Sequence, residues 1–132
     1  MSERPPPDEP MGQSFCIPDV GPSANTIYAG MHWRKRKAIA DTWHLLVRVW
    51  VRKYGIHPVD GLVDIQIECW FGPGRKAFDS SNCSFTLKLI EDGLVAAKIL
   101  KGDGPQYVGW VNGRSVPRQI TTQTVVTIYE LV

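Results

Sequence analysis

From Arg34 to Tyr54 the apolar residues Ile39, Trp43, Leu46, Val47, Trp50 and Tyr54 recur at steps of three and four. That spacing lays them along one stripe of an α-helix, and Gly55 and Pro58 supply the stop. From Leu62 to Phe71 the period shortens to two, with Val63, Ile65, Ile67 and Cys69 alternating with Asp64, Gln66 and Glu68. This is the pattern of a half-buried strand. Phe71-Gly72-Pro73-Gly74-Arg75 breaks it with turn residues, and a second helix is predicted from about Ser81 to Ala97, its pattern carried by Phe85, Leu89, Leu94 and Ile99. Gly102 to Pro105 reads as a loop. Tyr107 to Val111 and Thr121 to Leu131 are rich in β-branched and aromatic residues, and Asn112-Gly113 between them is a hairpin-type turn signal. Near the start, Cys16 to Val20 reads as a short extended segment and Gly21 to Asn25 as a turn. The order β-α-β-α-β-β, without repeats, predicts an α/β (α+β) domain: a single-layer mixed sheet with two main helices packed on it.

The 132 residues suffice for one domain with a core and are too few for two ordinary ones. The first fifteen, MSERPPPDEPMGQSF, are polar and Pro-rich. They are expected to form a disordered tail, leaving residues 16–132 as the folded domain. Setting aside Glu3, Arg4, Asp8 and Glu9 leaves fourteen basic and ten acidic residues, a net charge of +4 on the folded part. That excess permits nucleic-acid binding without requiring it. Cys16, Cys69 and Cys83 are odd in number and form no C-x-x-C pair, which favours a reducing cytoplasm over a disulfide framework. His32, His44 and His57 are scattered, so no set has the spacing of a zinc site. No apolar run approaches a membrane span, and the N-terminus lacks the apolar core of a signal peptide.

Two constellations carry chemistry. Arg34, Lys35, Arg36 and Lys37 stand in succession at the start of the first helix, where the helix dipole disfavours cations. Phosphate is the natural partner for such a cluster, the plainer alternative being a solvated charged face. Tyr28, His32 and Trp33 lie beside these cations, within reach of stacking on exposed bases. Trp33, Trp43 and Trp50 are expected in the core all the same, as aromatic residues of an amphipathic helix. The second constellation runs from Asp79 to Asp103. It sets Asp79, Ser81 and Asn82 at a strand-to-helix junction, Lys88 and Asp92 one helical turn apart, and Asp103 in a Gly-rich loop beyond. Acidic groups gathered in this way suggest a metal held against a phosphate. The competing reading is structural, with Asp79 to Asn82 capping a helix and Lys88–Asp92 an ordinary surface ion pair.

The chain resembles the RusA-like Holliday junction resolvases, small endonucleases of bacteria and their phages. The resemblance begins at Ile17-Pro18 with Pro22-Ser23-Ala24-Asn25, continues through His32-Trp33 and the helix, and is close at Ile65-Gln66-Ile67-Glu68-Cys69. It is strongest at Asp79-x-x-Asn82, Lys88-x-x-x-Asp92-Gly93-Leu94 and the Asp103 loop leading to Tyr107-Val108. What it implies is a RusA-like fold and a dimeric, magnesium-dependent endonuclease that binds four-way DNA junctions and nicks opposing strands. Manganese would be the substitute metal, and no small-molecule cofactor or membrane would be involved. The setting would be recombination, repair or phage DNA processing, in a bacterial or phage-infected cytoplasm.

By the same resemblance, Asp79 and Asp103 match acidic catalytic positions and would hold magnesium, and Lys88 matches the family lysine at the slightly longer spacing of phage-type members. Ser81, Asn82 and Asp92 would be supporting residues. Arg34, Lys35, Arg36, Lys37, Arg75 and Lys76 would contact DNA phosphates. Two positions depart from the pattern. Ser81 stands where many members carry a second metal-binding Asp, and Gly102 where members often have the first Asp of a pair. Asp64 and Glu68 would make up the missing charge if their face of the strand met the helix start. Besides the nuclease, two readings stay open: a branched-DNA-binding relative that has lost cleavage, and a small α/β interaction module with no role on DNA.

Overall fold

The computed structural model describes residues 11–131. Of the predicted tail, residues 1–10 fall outside the described residues, while Met11 to Phe15 belong to strand β1 (Met11–Ile17). The polar run Gly12-Gln13-Ser14 is a strand because its backbone is paired throughout with β4 (Gln123–Glu130), from Met11↔Glu130 to Ile17↔Thr124. Phe15 and Ile17 are fully buried on its inner face. Gln13 further ties the strand to the chain beyond the long helix, accepting from the His57 N–H at 2.8 Å and donating to the His57 carbonyl at 3.1 Å.

The predicted turn after β1 contains a short helix, α1 (Ala24–Tyr28), started by Ser23, whose hydroxyl accepts from the Thr26 N–H at 3.2 Å. The long helix α2 (Trp33–Lys53) follows the predicted stripe: Trp43, Val47 and Val51 are buried, and Ile39, Leu46 and Trp50 pack against the core from its edges. Its end is a Schellman turn, in which the Ile56 N–H donates to Val51 and the Gly55 N–H to Arg52, with Gly55 at φ +66. Trp33 is a correction. It is 56 % exposed, at the start of a stretch of α2, Trp33 to Ala38, in which every residue faces solvent.

Strand β2 (Val63–Trp70) alternates as its sequence requires, with Val63, Ile65, Ile67 and Cys69 fully buried. After a loop, a 3-10 turn (Ser80–Cys83) leads into α3 (Ser84–Ala96), which buries Leu89, Ile90 and Leu94 against α2 and the sheet. This helix also ends in a Schellman turn, with Ile99 N–H to Leu94 and Lys98 N–H to Val95, and it puts Lys98 at φ +66. A side chain in the left-handed region is strained where glycine is not, so Lys98→Gly is expected to add about 0.5–1 kcal/mol of stability. A higher urea midpoint at unchanged slope would register it.

The sheet has four strands in the order β1-β4-β2-β3, with β3 spanning Val108–Val116. Strands β2 and β3 run parallel, as the intervening α3 crossover allows, and β4 is antiparallel to both β1 and β2. The architecture is a mixed α+β domain with α2 and α3 on one sheet face. No hairpin forms at Asn112-Gly113, which is the second correction. Those residues lie inside β3, opposite Gln66 and Ile67, and β4 is separated from β3 by β2. Close approach of α3 explains the glycine: a Cβ on Gly113 would come within 2.5 Å of the Leu87 side chain. No helix among the described residues is long and apolar enough to cross a membrane.

Candidate functional site

Helix α3 carries most of the candidate chemistry along its exposed side. Lys88 and Asp92 are one turn apart, and the Lys88 ammonium lies 3.1 Å from the Asp92 carboxylate. The loop after the helix turns back, bringing Asp103 to 4.0 Å from the same ammonium. Glu91 completes the group: Glu91, Asp92 and Asp103 each place a carboxylate oxygen within 4.8 Å of the others. Hydrogen bonding and charge from Asp92 hold the Lys88 proton more tightly than usual. Burial raises Glu91 above the usual carboxylate value of 4.5, with Lys88 pulling the other way and the Asp103 and Asp92 charges adding to the rise.

A raised carboxylate favours the fold only while protonated. That contribution is complete below about pH 4.5 and is lost as pH rises through the folded-state value, so ionised Glu91 costs stability at neutral pH. Glu91→Gln should therefore melt higher than the parent at pH 7, with the gap closing towards pH 4. Thermal denaturation across that range checks it.

Sequence reasoning did not single out Glu91. The available signal was its place three residues after Lys88 and next to Asp92. What hid its role was the loop, since only the return of Asp103 makes a three-carboxylate group.

Asp79 is not part of that group. It occupies the N-cap position of the 3-10 turn with φ −60 and ψ 149, yet its carboxylate makes no capping hydrogen bond, so the capping role does not occupy it. Thirteen residue steps of turn and helix separate it from Asp92, a contour on the order of 20 Å at about 1.5 Å per residue. Ser81 is exposed in the same turn, while Asn82 donates its N–H to the Asp79 carbonyl at 2.8 Å. Its neighbour Ser80 pins the turn to β3 by accepting from the Ser115 N–H at 3.0 Å.

The carboxylates of β2 are engaged elsewhere. Asp64 accepts from the Trp110 N–H at 3.0 Å, and Glu68 accepts from Arg114 at 2.8 Å and from the Trp70 indole at 3.1 Å. Burial works to raise Glu68, but the bonds from Arg114 and Trp70 outweigh it and hold the carboxyl below its usual range. Both side chains lie on the face of β2 opposite the buried residues that meet α3. They supply nothing to the helix start. Gly102 is shaped by packing, since a Cβ there would lie 3.0 Å from the Tyr107 ring.

The cations are exposed at two places. Arg34, Lys35, Arg36 and Lys37 cover the first turns of α2, where His32 acts as the N-cap, its Nδ1 accepting from the Arg34 N–H at 3.1 Å. Trp33 stacks on His32, Arg34 sits over the Trp33 ring at 5.3 Å, and Lys37 pairs with Asp41 at 3.0 Å. Arg75 and Lys76 are exposed in the loop after β2, with Arg75 reaching Asp19 only at 3.9 Å. The chain matches no protein-family model, and a search of curated proteins finds no match to it.

Proposed function

We propose that the chain is a magnesium-dependent, structure-selective endonuclease that acts on four-way DNA junctions as a homodimer, with a RusA-like fold. The observation that carries this reading is the meeting of Lys88 with Asp92 and Asp103, residues separated in sequence and singled out by the resemblance, at 3.1 and 4.0 Å. The donor set suits the metal: Glu91, Asp92 and Asp103 offer clustered carboxylate oxygens, the ligands that hard divalent cations such as magnesium or manganese prefer. Once bound, the ion would polarise a phosphate oxygen and make a water more acidic.

Lys88 has two tasks in this proposal. Its ammonium screens the repulsion among the carboxylates, and it offsets charge that builds on the phosphate during displacement. Asp79 enters as a second, separate carboxylate, left free by the turn it begins. The cations at Arg34 to Lys37 and at Arg75-Lys76 would hold the phosphate backbone. A two-fold dimer would present equivalent sites to opposing strands of a junction.

A second reading, junction binding without cleavage, is favoured by one feature: Lys88 already neutralises part of the carboxylate group. Incubating the protein with a synthetic four-way junction and a matched linear duplex, with and without magnesium, separates the two. Paired, symmetric nicks on the junction alone in magnesium are expected. Tight binding without nicks in magnesium or manganese would select the second reading, and no structure-selective binding at low salt would remove DNA from the account.

A further inference from the structure

We infer that the cleft between the loops following β2 and β3 is a phosphate-gripping site, in which Arg118 and Arg75 hold a DNA backbone phosphate away from the acidic cluster. This deepens the nuclease reading and rests on it for the identity of the ligand. The cleft has a volume of about 450 Å³ and is lined by Gly72 to Arg75 on one side and Pro117 to Gln119 on the other. It opens at the C-terminal ends of the two parallel strands, the edge at which open α/β sheets present ligand crevices.

Its walls are stitched together. The Phe71 N–H donates to Val116 at 3.0 Å, the Gln119 N–H returns to Phe71 at 2.9 Å, and the Gly72 N–H donates to the Thr122 hydroxyl at 2.9 Å. The two arginines are therefore carried on a backbone already set in place, which lowers the ordering cost of binding.

Arg118 is exposed and its side chain makes no hydrogen bond or ion pair among the described residues. It sits at φ +58, one of two non-glycine residues in the left-handed region among those described. The other, Lys98, is held there by the Schellman turn that ends α3, whereas Arg118 ends no helix. An arginine kept in a conformation that glycine adopts more easily points to use of its side chain. That side chain forms no ion pair among the described residues, and Arg75 has only the long contact to Asp19. Two guanidinium groups at one cleft, without close carboxylate partners, suit the paired non-bridging oxygens of a phosphodiester.

Asp79 lies two residues beyond Ala77, which also lines the cleft, so a phosphate held there lies nearer in the chain to Asp79 than to the acidic cluster at Asp92 and Asp103.

The test follows junction affinity across a range of salt for the parent, for Arg118→Gly, and for Arg75→Gln combined with Arg118→Gln. Because the two arginines share one phosphate, the double variant should reduce the slope of log affinity against log salt by about 0.9, and Arg118→Gly alone by part of that. Arg118→Gly should lose its contact while melting at the same or a higher temperature, a combination that a structural role would not produce. In parallel, inorganic pyrophosphate is titrated against the arginine Nε–Hε resonances. Junction binding with an unchanged slope in the variants, and arginine signals silent to pyrophosphate, would overturn the cleft and leave the nuclease reading standing. Arginine signals that respond to pyrophosphate in a protein that binds no junction would instead overturn the nuclease reading and keep the cleft as a phosphate site.

Discussion

On the nuclease reading proposed above, Asp103→Asn is expected to lower magnesium-dependent nicking of a four-way junction by about 100-fold or more, the scale of losing a group that acts directly on a metal or on developing charge. Junction affinity should stay within about twofold, since the change removes a negative charge and disturbs no phosphate contact. The reason is geometric. Glu91 and Asp92 are neighbours on one helix and diverge around its axis, so the group closes only when the loop returns Asp103 to them. Folding should barely notice the change, because Asp103 is well exposed and its 4.0 Å contact with Lys88 is a weak surface pair.

Single-turnover cleavage with magnesium measures the first effect. A second readout is the rise in melting temperature on adding magnesium, which mass action predicts for the parent and which the variant should lack. Asp79→Asn belongs in the same experiment: loss of nicking with the magnesium-dependent rise intact would give Asp79 a role apart from the carboxylate group. Full cleavage by Asp103→Asn would remove Asp103 from the site.

Gly93→Val should destabilise the fold by about 3 kcal/mol, a large share of the total for a domain of this size. Gly93 is buried where α3 crosses α2. A Cβ there would fall 2.7 Å from Val47 Cγ2 and 2.9 Å from its Cβ. Val47 is fully buried and β-branched, so it has no free rotamer into which to retreat. The gain in helix propensity over glycine, about 0.5 kcal/mol, is too small to offset that overlap. Denaturant unfolding of Gly93→Val, Val47→Ala and the double variant tests the account, with the double variant recovering much of the loss through coupling between the two sites. A neutral Gly93→Val would mean that the helices do not meet at this point. The Asp92-Gly93 pair thus joins two demands on one turn of helix, a carboxylate facing outward and the absence of a side chain facing in.

The long helix and the central strand were legible from the chain because both are written in local periodicity. Ile39 to Tyr54 at steps of three and four can bury one face only as a helix, and Val63 to Cys69 at steps of two only as a strand. Gly55 announced the end of α2 because few other residues adopt its φ of +66 without strain. The span of α3 was readable for the same reason. So were Lys88 and Asp92 as neighbours one turn apart.

Other features depended on partners distant in sequence. Gly12-Gln13-Ser14 carries no apolar alternation, and it is a strand because β4 supplies its hydrogen bonds. Asn112-Gly113 has the composition of a turn, yet the edge of β2 holds it extended, and α3 needs the space that a side chain on Gly113 would fill. Trp33 looked like core and is exposed, because periodicity says which residues share a face but not how far along the helix that face stays covered. Glu91 joined the carboxylate group, and Arg118 joined Arg75 across a cleft, through loops whose paths are set by backbone hydrogen bonds between distant segments. The sequence by itself thus determined the two main helices and the central strand, because local steric and hydrophobic preferences act over one or two turns of chain. Only the tertiary structure decided the sheet order and the membership of each charged cluster, because pairing between distant strands settles where every loop must end.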